Sequence, residues 1–170
     1  MVSSLVPDWF IKWYPYRIRS HPKTLWETEY SDGFWDYLNQ PDELARYSVI
    51  ASYCQFFTSG GSILDNGCGE GILKQHLNPN SYSQYVGVDL SEDAIVRANA
   101  TRNDDKSTFI AADVEQYVPD TSFDIIAFNE CLYYTTKPLE VVKRYEPYLN
   151  DKGVFVISMV DMLKSRKIWY

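Results

Sequence analysis

A chain of 170 residues fits one domain with enough length for a sizeable core, and its 45% hydrophobic and 23% charged residues are ordinary for a soluble globular protein. The net charge of −7 argues against a nucleic-acid partner, which would want a basic face. No apolar run approaches the roughly 20 residues of a membrane span, and the N-terminus lacks the basic-then-apolar order of a signal peptide, which together predict a cytoplasmic protein.

Residues 1–40 read as an irregular aromatic arm, with Trp9, Trp13, Trp26, Tyr30, Trp35 and Tyr37 among its rings and prolines at 7, 15 and 22 to interrupt any long helix. It wraps the core, closes over a site as a lid, or, with Lys12, Arg17, Arg19 and Lys23 among its rings, forms a surface patch that meets a membrane or a partner. Residues 41–170 read as the folded domain. Pro41, with Asp42 and Glu43 behind it, opens a helix that runs to about Phe57 and carries Leu44, Tyr47, Ile50 or Ala51, and Cys54 on one stripe. Gly60-Gly61 ends it.

A short apolar strand from Ile63 then feeds the turn Asp65-Asn66-Gly67-Cys68-Gly69-Glu70-Gly71 and a new helix. Tyr85–Leu90 is a second buried strand ending in an acid. Ser91 caps a helix from Glu92 to about Ala100. Thr108–Asp113 is a third strand, Phe123–Asn129 a fourth, 139–145 a helix and Gly153–Met159 a fifth strand. Strands alternating with helices imply a parallel sheet covered on both faces. Cys54, Cys68 and Cys131 form no even framework and no ligand-type spacing, so reduced thiols and no metal site are expected; Cys68 is read as steric filler of the turn.

Three glycines in five residues let the backbone of that turn bend tightly and approach a ligand. The spacing G-x-G-x-G differs from the G-x-G-x-x-G of dinucleotide sites. Asp65 and Glu70 flank it, and two acids repel a pyrophosphate but attract an ammonium or sulfonium group. S-adenosylmethionine fits that better than NAD, and a nucleotide-dependent oxidoreductase is the weaker reading. Asp89 lies 18 residues past Gly71 (89 − 71), about where a ribose-binding acid follows a first βα unit.

With these elements in order, the chain from about Ile63 to Val160 resembles the class I S-adenosylmethionine-dependent methyltransferases, in the manner of bacterial enzymes of sugar and secondary-metabolite pathways. The resemblance implies a Rossmann-like, doubly wound, mostly parallel sheet of about five strands in order 3-2-1-4-5, in three αβα layers. It implies cofactor contacts from Asp65, Asn66, Gly67, Cys68, Gly69 and Gly71, with Asp89 on the ribose and Leu90 against the adenine. It places Asp113 on the exocyclic amine with Val114 beside it, and the backbone of Asn129 at the cofactor's amino-acid end. Family members usually carry two further strands, so the chain reads as shortened at the C-terminus, with Val154–Val160 as a bare edge. The arm, the tail or a second copy would cover that edge, the last giving a homodimer; a truncated chain is the alternative. The run Lys164–Tyr170 reads as the opening of a helix.

Ligands of open α/β sheets sit beyond the carboxyl ends of the strands, which puts Asn129-Glu130-Cys131-Leu132-Tyr133-Tyr134 near the reacting methyl. Glu130 is a candidate general base or a backbone-binding carboxylate, and Tyr134 a proton donor or a pocket wall. His21 is a candidate base or an ordinary loop histidine, whereas His76 is read as a solvated surface residue. Arg46 is a candidate partner for the cofactor carboxylate or half of a surface ion pair. The expected function is methyl transfer to an oxygen or nitrogen of a small molecule such as a sugar. A non-catalytic, methyltransferase-like binding module acting through its fifth strand is the alternative.

Overall fold

The computed structural model describes residues 22–58 and 60–160. His21, the earlier aromatic residues of the arm and the Lys164–Tyr170 run lie outside them. Helix α1 (Lys23–Ser31) and a 3-10 turn (Asp36–Asn39) precede α2 (Pro41–Thr58), β1 (Ser62–Asn66), α3 (Ile72–Gln75), β2 (Gln84–Asp89) and α4 (Glu92–Arg102). Then follow β3 (Ser107–Ala111), β4 (Phe123–Asn129), a 3-10 turn (Leu132–Tyr134), α5 (Pro138–Tyr145), a third such turn (Glu146–Tyr148) and β5 (Leu149–Ser158).

The five strands form one parallel sheet in the order β3-β2-β1-β4-β5. Central β1 is buried at every position, as a strand covered on both faces must be. Its side chains alternate between two apolar layers. Ile63 joins Tyr47, Cys54, Leu73, Tyr85 and Phe109 under α2, α3 and α4. Leu64 joins Val88, Ile126, Phe128, Val141 and Tyr145 on the α5 side. Asp124 pins the far end of the sheet: it accepts from the Ser62 N–H (2.7 Å) and the Asn150 side-chain amide (2.9 Å). A Cβ at Gly61 would lie 2.1 Å from its carboxylate oxygen.

Helix α2 buries the expected stripe of Tyr47, Ile50, Ala51 and Cys54. Its outer face is also apolar, with Val49, Tyr53, Phe56 and Phe57 exposed. Helix α4 starts at the Ser91 cap and runs two residues past Ala100, to Arg102.

Two expectations are corrected. Residues 22–40 are not irregular: Pro22 stands at the N-cap of the nine-residue α1, where a missing N–H costs nothing, so this proline starts a helix rather than breaking one. Strand β5 begins at Leu149 rather than Gly153. Asn150-Asp151-Lys152-Gly153 reads as a turn, yet the strand continues through it by a register shift opposite Phe123 and Ile125. Among the described residues β5 is an edge strand, as expected, paired on one side by β4, while its faces are half-buried over Val154–Ser158, with Val154 and Val156 packed on one layer and Phe155 and Ile157 on the other. No helix among the described residues is long and apolar enough to cross a membrane.

Candidate cofactor and acceptor site

The carboxyl ends of β1, β2 and β4 converge on the glycine turn. Gly67, Gly69 and Gly71 all have left-handed φ, of 73°, 53° and 79°. Each is closely covered: an added Cβ would lie 2.5 Å from Cys131 Cβ at Gly67, 2.7 Å from the Tyr30 hydroxyl at Gly69 and 2.9 Å from the Phe109 ring at Gly71. Gly67 and Cys68 donate to the Val88 carbonyl, which ties the turn to β2. Burial pushes the Cys68 thiol well above its ordinary pKa, which suppresses the reactive thiolate.

Asp65 is 1% exposed. Its Oδ2 accepts from the Tyr85 hydroxyl at 2.5 Å, whereas Oδ1 has no hydrogen-bond partner among the described residues. Burial raises its pKa to about 7, against the Tyr85 bond, which favours the anion, and with a smaller push from Asp89. Since the folded value lies above the ordinary 3.8, the stability Asp65 contributes is complete below about 3.8 and is lost as pH rises through about 7. The ligand-free protein is therefore expected to melt at a higher temperature at pH 5.5 than at pH 8, and Asp65→Asn to flatten that slope in calorimetric scans.

Asn66 follows on the opposite face of the sheet, fully buried in the apolar α5 layer, with neither amide atom hydrogen-bonded. An unsatisfied buried polar group costs about 1–3 kcal/mol. Asn66→Leu is expected to stabilise the ligand-free fold by roughly 1–2 kcal/mol, read as a higher urea midpoint at unchanged slope.

Asp89, at the end of β2, accepts from the Gly69 N–H (2.8 Å) through Oδ2 and from the Ser91 N–H (3.0 Å) through Oδ1. Burial raises its pKa against these two donors. Leu90 follows it, partly exposed. Asp113 lies just beyond β3, next to Ala112, whose N–H donates to the Asp89 carbonyl. Its carboxylate caps its own turn through the Glu115 N–H (2.8 Å). The Val114 carbonyl accepts from the Tyr145 hydroxyl.

On the β4 side, Arg46 and Asn129 meet: the guanidinium donates to the Asn129 side-chain oxygen at 2.9 Å and is held by Glu43, also at 2.9 Å. Glu130 is the one non-glycine residue with positive φ among the described residues, at 57°. Its carboxylate accepts from Tyr133 Oη (3.0 Å), Ser158 Oγ (2.7 Å) and Val160 N–H (2.8 Å), so it fastens the turn after β4 to the end of β5. Tyr134 meets Trp26 edge-on at 4.9 Å, and Trp26 stacks on Trp35 at 5.5 Å. The aromatic helix α1 thus lies along the site.

Two charge expectations change. Glu70 does not face the turn with a free charge: Arg97 pairs with it at 2.8 Å and Arg102 lies 3.9 Å away, leaving Asp65 and Asp89 as the acids of the site. His76 is not a solvated side chain: it stacks on Tyr47 (6.1 Å), its Nδ1 lies 3.2 Å from Ser48 Oγ, and its Nε2 is buried. Tyr30, one of the arm residues expected either to close over the site or to pack the arm, covers Gly69, whereas nothing local in the sequence marks the strand residue Tyr85 as a partner of Asp65.

A methyltransferase-domain family model matches residues 36–169. Trans-aconitate 2-methyltransferase of Afipia carboxidovorans is 31% identical over 102 residues, 59% of this chain and 39% of that protein. The mitochondrial arginine hydroxylase NDUFAF5 of Rattus norvegicus is 30% identical over 98 residues, 56% of this chain and 28% of that one. Among solved structures, the plantazolicin methyltransferase BamL, in complex with a triazolic desmethylPZN analog and SAH, superposes with a TM-score of 0.62 at 26% identity, covering 79% of this chain and 51% of that one. The chain therefore spans about half or less of the length of each of these three proteins. S-adenosylmethionine is the cofactor of this methyltransferase family, whose neighbours are crystallised with its demethylated product. By the match over residues 36–169, and by a parallel sheet of the expected order carrying the glycine turn, the chain belongs to the methyltransferase-domain family.

Proposed function

We propose that this protein binds S-adenosylmethionine beyond the carboxyl ends of β1, β2 and β3 and transfers its methyl group to an oxygen or nitrogen of a small molecule. The observation that carries the reading is the trio of left-handed glycines beside two acids, Asp89 and the buried Asp65 with its unpaired oxygen. A nearly side-chain-free turn admits close backbone approach, and an orphaned carboxylate oxygen at Asp65 calls for a cationic partner. The residues present fit the group: Asp89 for ribose hydroxyls, Leu90 and Asp113 for the adenine, Gly67 and Gly69 for the backbone contacts, and Arg46 with Asn129 for the carboxylate end.

When bound, S-adenosylmethionine would supply a sulfonium-activated methyl carbon open to in-line attack by an acceptor lone pair, the new O–C or N–C bond forming as the S–C bond breaks, with S-adenosylhomocysteine as the leaving group and the acceptor's proton passing to solvent. The chain's own contribution is then positioning and exclusion of water. Glu130, accepting three hydrogen bonds, holds the turn after β4 in place, and Tyr134 forms part of the acceptor-side wall with Trp26. The described residues 22–40, with α1, act as the cover of this site. A small acceptor is favoured by the net charge of −7, which opposes a polyanion, and by the trans-aconitate enzyme among the relatives.

Calorimetric titration with S-adenosylmethionine and S-adenosylhomocysteine, with NAD as control, tests the reading, followed by transfer of labelled methyl to a panel of sugars, small carboxylates, amines and transfer RNA. Micromolar binding of the first two alone and labelling of a small molecule are expected. A folded protein that binds neither, or that labels only RNA, would overturn the proposal.

A further inference from the structure

Helix α1 touches the glycine turn twice, by two routes that close into a ring. Along the first, the Glu27 carboxylate reaches the start of α4: it accepts from Ser91 Oγ (2.8 Å), the Glu92 N–H (2.9 Å) and the Asp93 N–H (3.2 Å). Ser91 in turn donates its N–H to Asp89 Oδ1, and Asp89 Oδ2 accepts from the Gly69 N–H. Along the second, Tyr30 lies one helical turn beyond Glu27, and its hydroxyl covers Gly69. The circuit Glu27–Ser91–Asp89–Gly69–Tyr30 returns to the helix it left.

Ser91 already caps α4, because its Oγ accepts from the Ala94 N–H at 3.2 Å. Glu27 satisfies the next two free amides of the first turn from a different helix, sixty-odd residues away in sequence, where a carboxylate also complements the helix dipole. Lys23, 4.0 Å from Glu27 and hydrogen-bonded to Glu92, supplies the neighbouring positive charge. Burial works against the Glu27 anion, but the Glu92 and Asp93 amides outweigh it and hold its pKa below the ordinary carboxylate value.

We propose that Glu27 is a positioning residue of the cofactor site: by clamping α1 to the α4 N-terminus it fixes Ser91, and through Ser91 the orientation of the Asp89 carboxylate and the seat of Tyr30 over Gly69. This rests on the cofactor reading above for its effect on affinity, though not for its effect on the ligand-free turn.

The test uses the full chain and S-adenosylhomocysteine. Glu27→Ala is expected to weaken binding about tenfold in calorimetry, Glu27→Gln, which keeps an acceptor oxygen, to recover part of the loss, and Glu27→Ala with Ser91→Ala to lose little more than the larger single change. Full additivity, or unchanged affinity in Glu27→Ala, would overturn the proposal. Amide exchange on the ligand-free protein decides it separately. Glu27→Ala should speed exchange at Gly69 and Ser91 as well as in α1, and acceleration confined to α1 would reduce Glu27 to a helix-docking residue. Should Glu27→Ala fail to fold, Glu27→Gln carries both measurements. If the wild-type protein binds no S-adenosylhomocysteine, the proposed function fails while the exchange data still decide this inference.

Discussion

Asp89→Ala is expected to abolish measurable binding of S-adenosylhomocysteine while leaving a folded protein. The carboxylate does two jobs at once. It holds the Gly69 amide and the Ser91 amide, fixing the glycine turn against the start of α4, and it presents its remaining lone pairs where ribose hydroxyls are proposed to bind. Hydrogen bonds to a charged group contribute roughly 1.5–3 kcal/mol each, so losing two of them corresponds to about a hundredfold or more in affinity. Calorimetry with far-UV circular dichroism as the folding control makes the check, and wild-type affinity in the variant would remove Asp89 from the ribose site. Asp89→Asn keeps one acceptor oxygen and is expected to fall between the two.

Gly67→Ala is expected to cost about 2–4 kcal/mol of stability. Two penalties coincide there: a φ of 73°, which an L side chain adopts at roughly 1–2 kcal/mol, and a Cβ placed 2.5 Å from Cys131 Cβ. The Cys131 Cβ cannot swing aside as the tip of a long side chain would. Gly60 separates the two terms, because its φ of 97° is also left-handed but an added Cβ meets nothing within 4 Å. Gly60→Ala should therefore carry the backbone strain alone, and the difference between the two variants in urea unfolding measures the clash. Equal losses would mean that the turn yields to Cys131 and that the close packing under Gly67 carries no energetic weight.

The strands, the span of α2, the Ser91 cap and the acids at the ends of β1 and β2 were legible because each leaves a local mark: an apolar run, a first-turn acid, a glycine, a terminal carboxylate; the order of the strands was legible only through the family resemblance. What escaped the sequence depends on partners distant in the chain. Glu70 reads as an acid of the turn, but Arg97 and Arg102 from α4 claim it. His76 reads as surface until Tyr47 of α2 stacks on it. Helix α1 was hidden by a proline that serves as its cap, and its contact with the site runs through Glu27 and Tyr30, whose counterparts, Ser91 and Gly69, lie about 64 and 39 residues further on respectively. The polarity of Glu130 was visible, but its three donors come from its own turn and from the end of β5.

The outward face of α2 sets the conditions under which this protein can be handled. From Tyr47 to Gly61 the sequence holds no Asp, Glu, Lys or Arg, and Phe56 on that face is 76% exposed. At neutral pH the excess of seven negative charges opposes association of copies through that apolar helix. Near the isoelectric point of 4.8 the mutual repulsion vanishes, and at high salt its reach shrinks to about 3 Å at 1 M. Colloidal stability thus rests on charge spread elsewhere over the surface, so the working range of the protein is bounded by acid on one side and by ionic strength on the other.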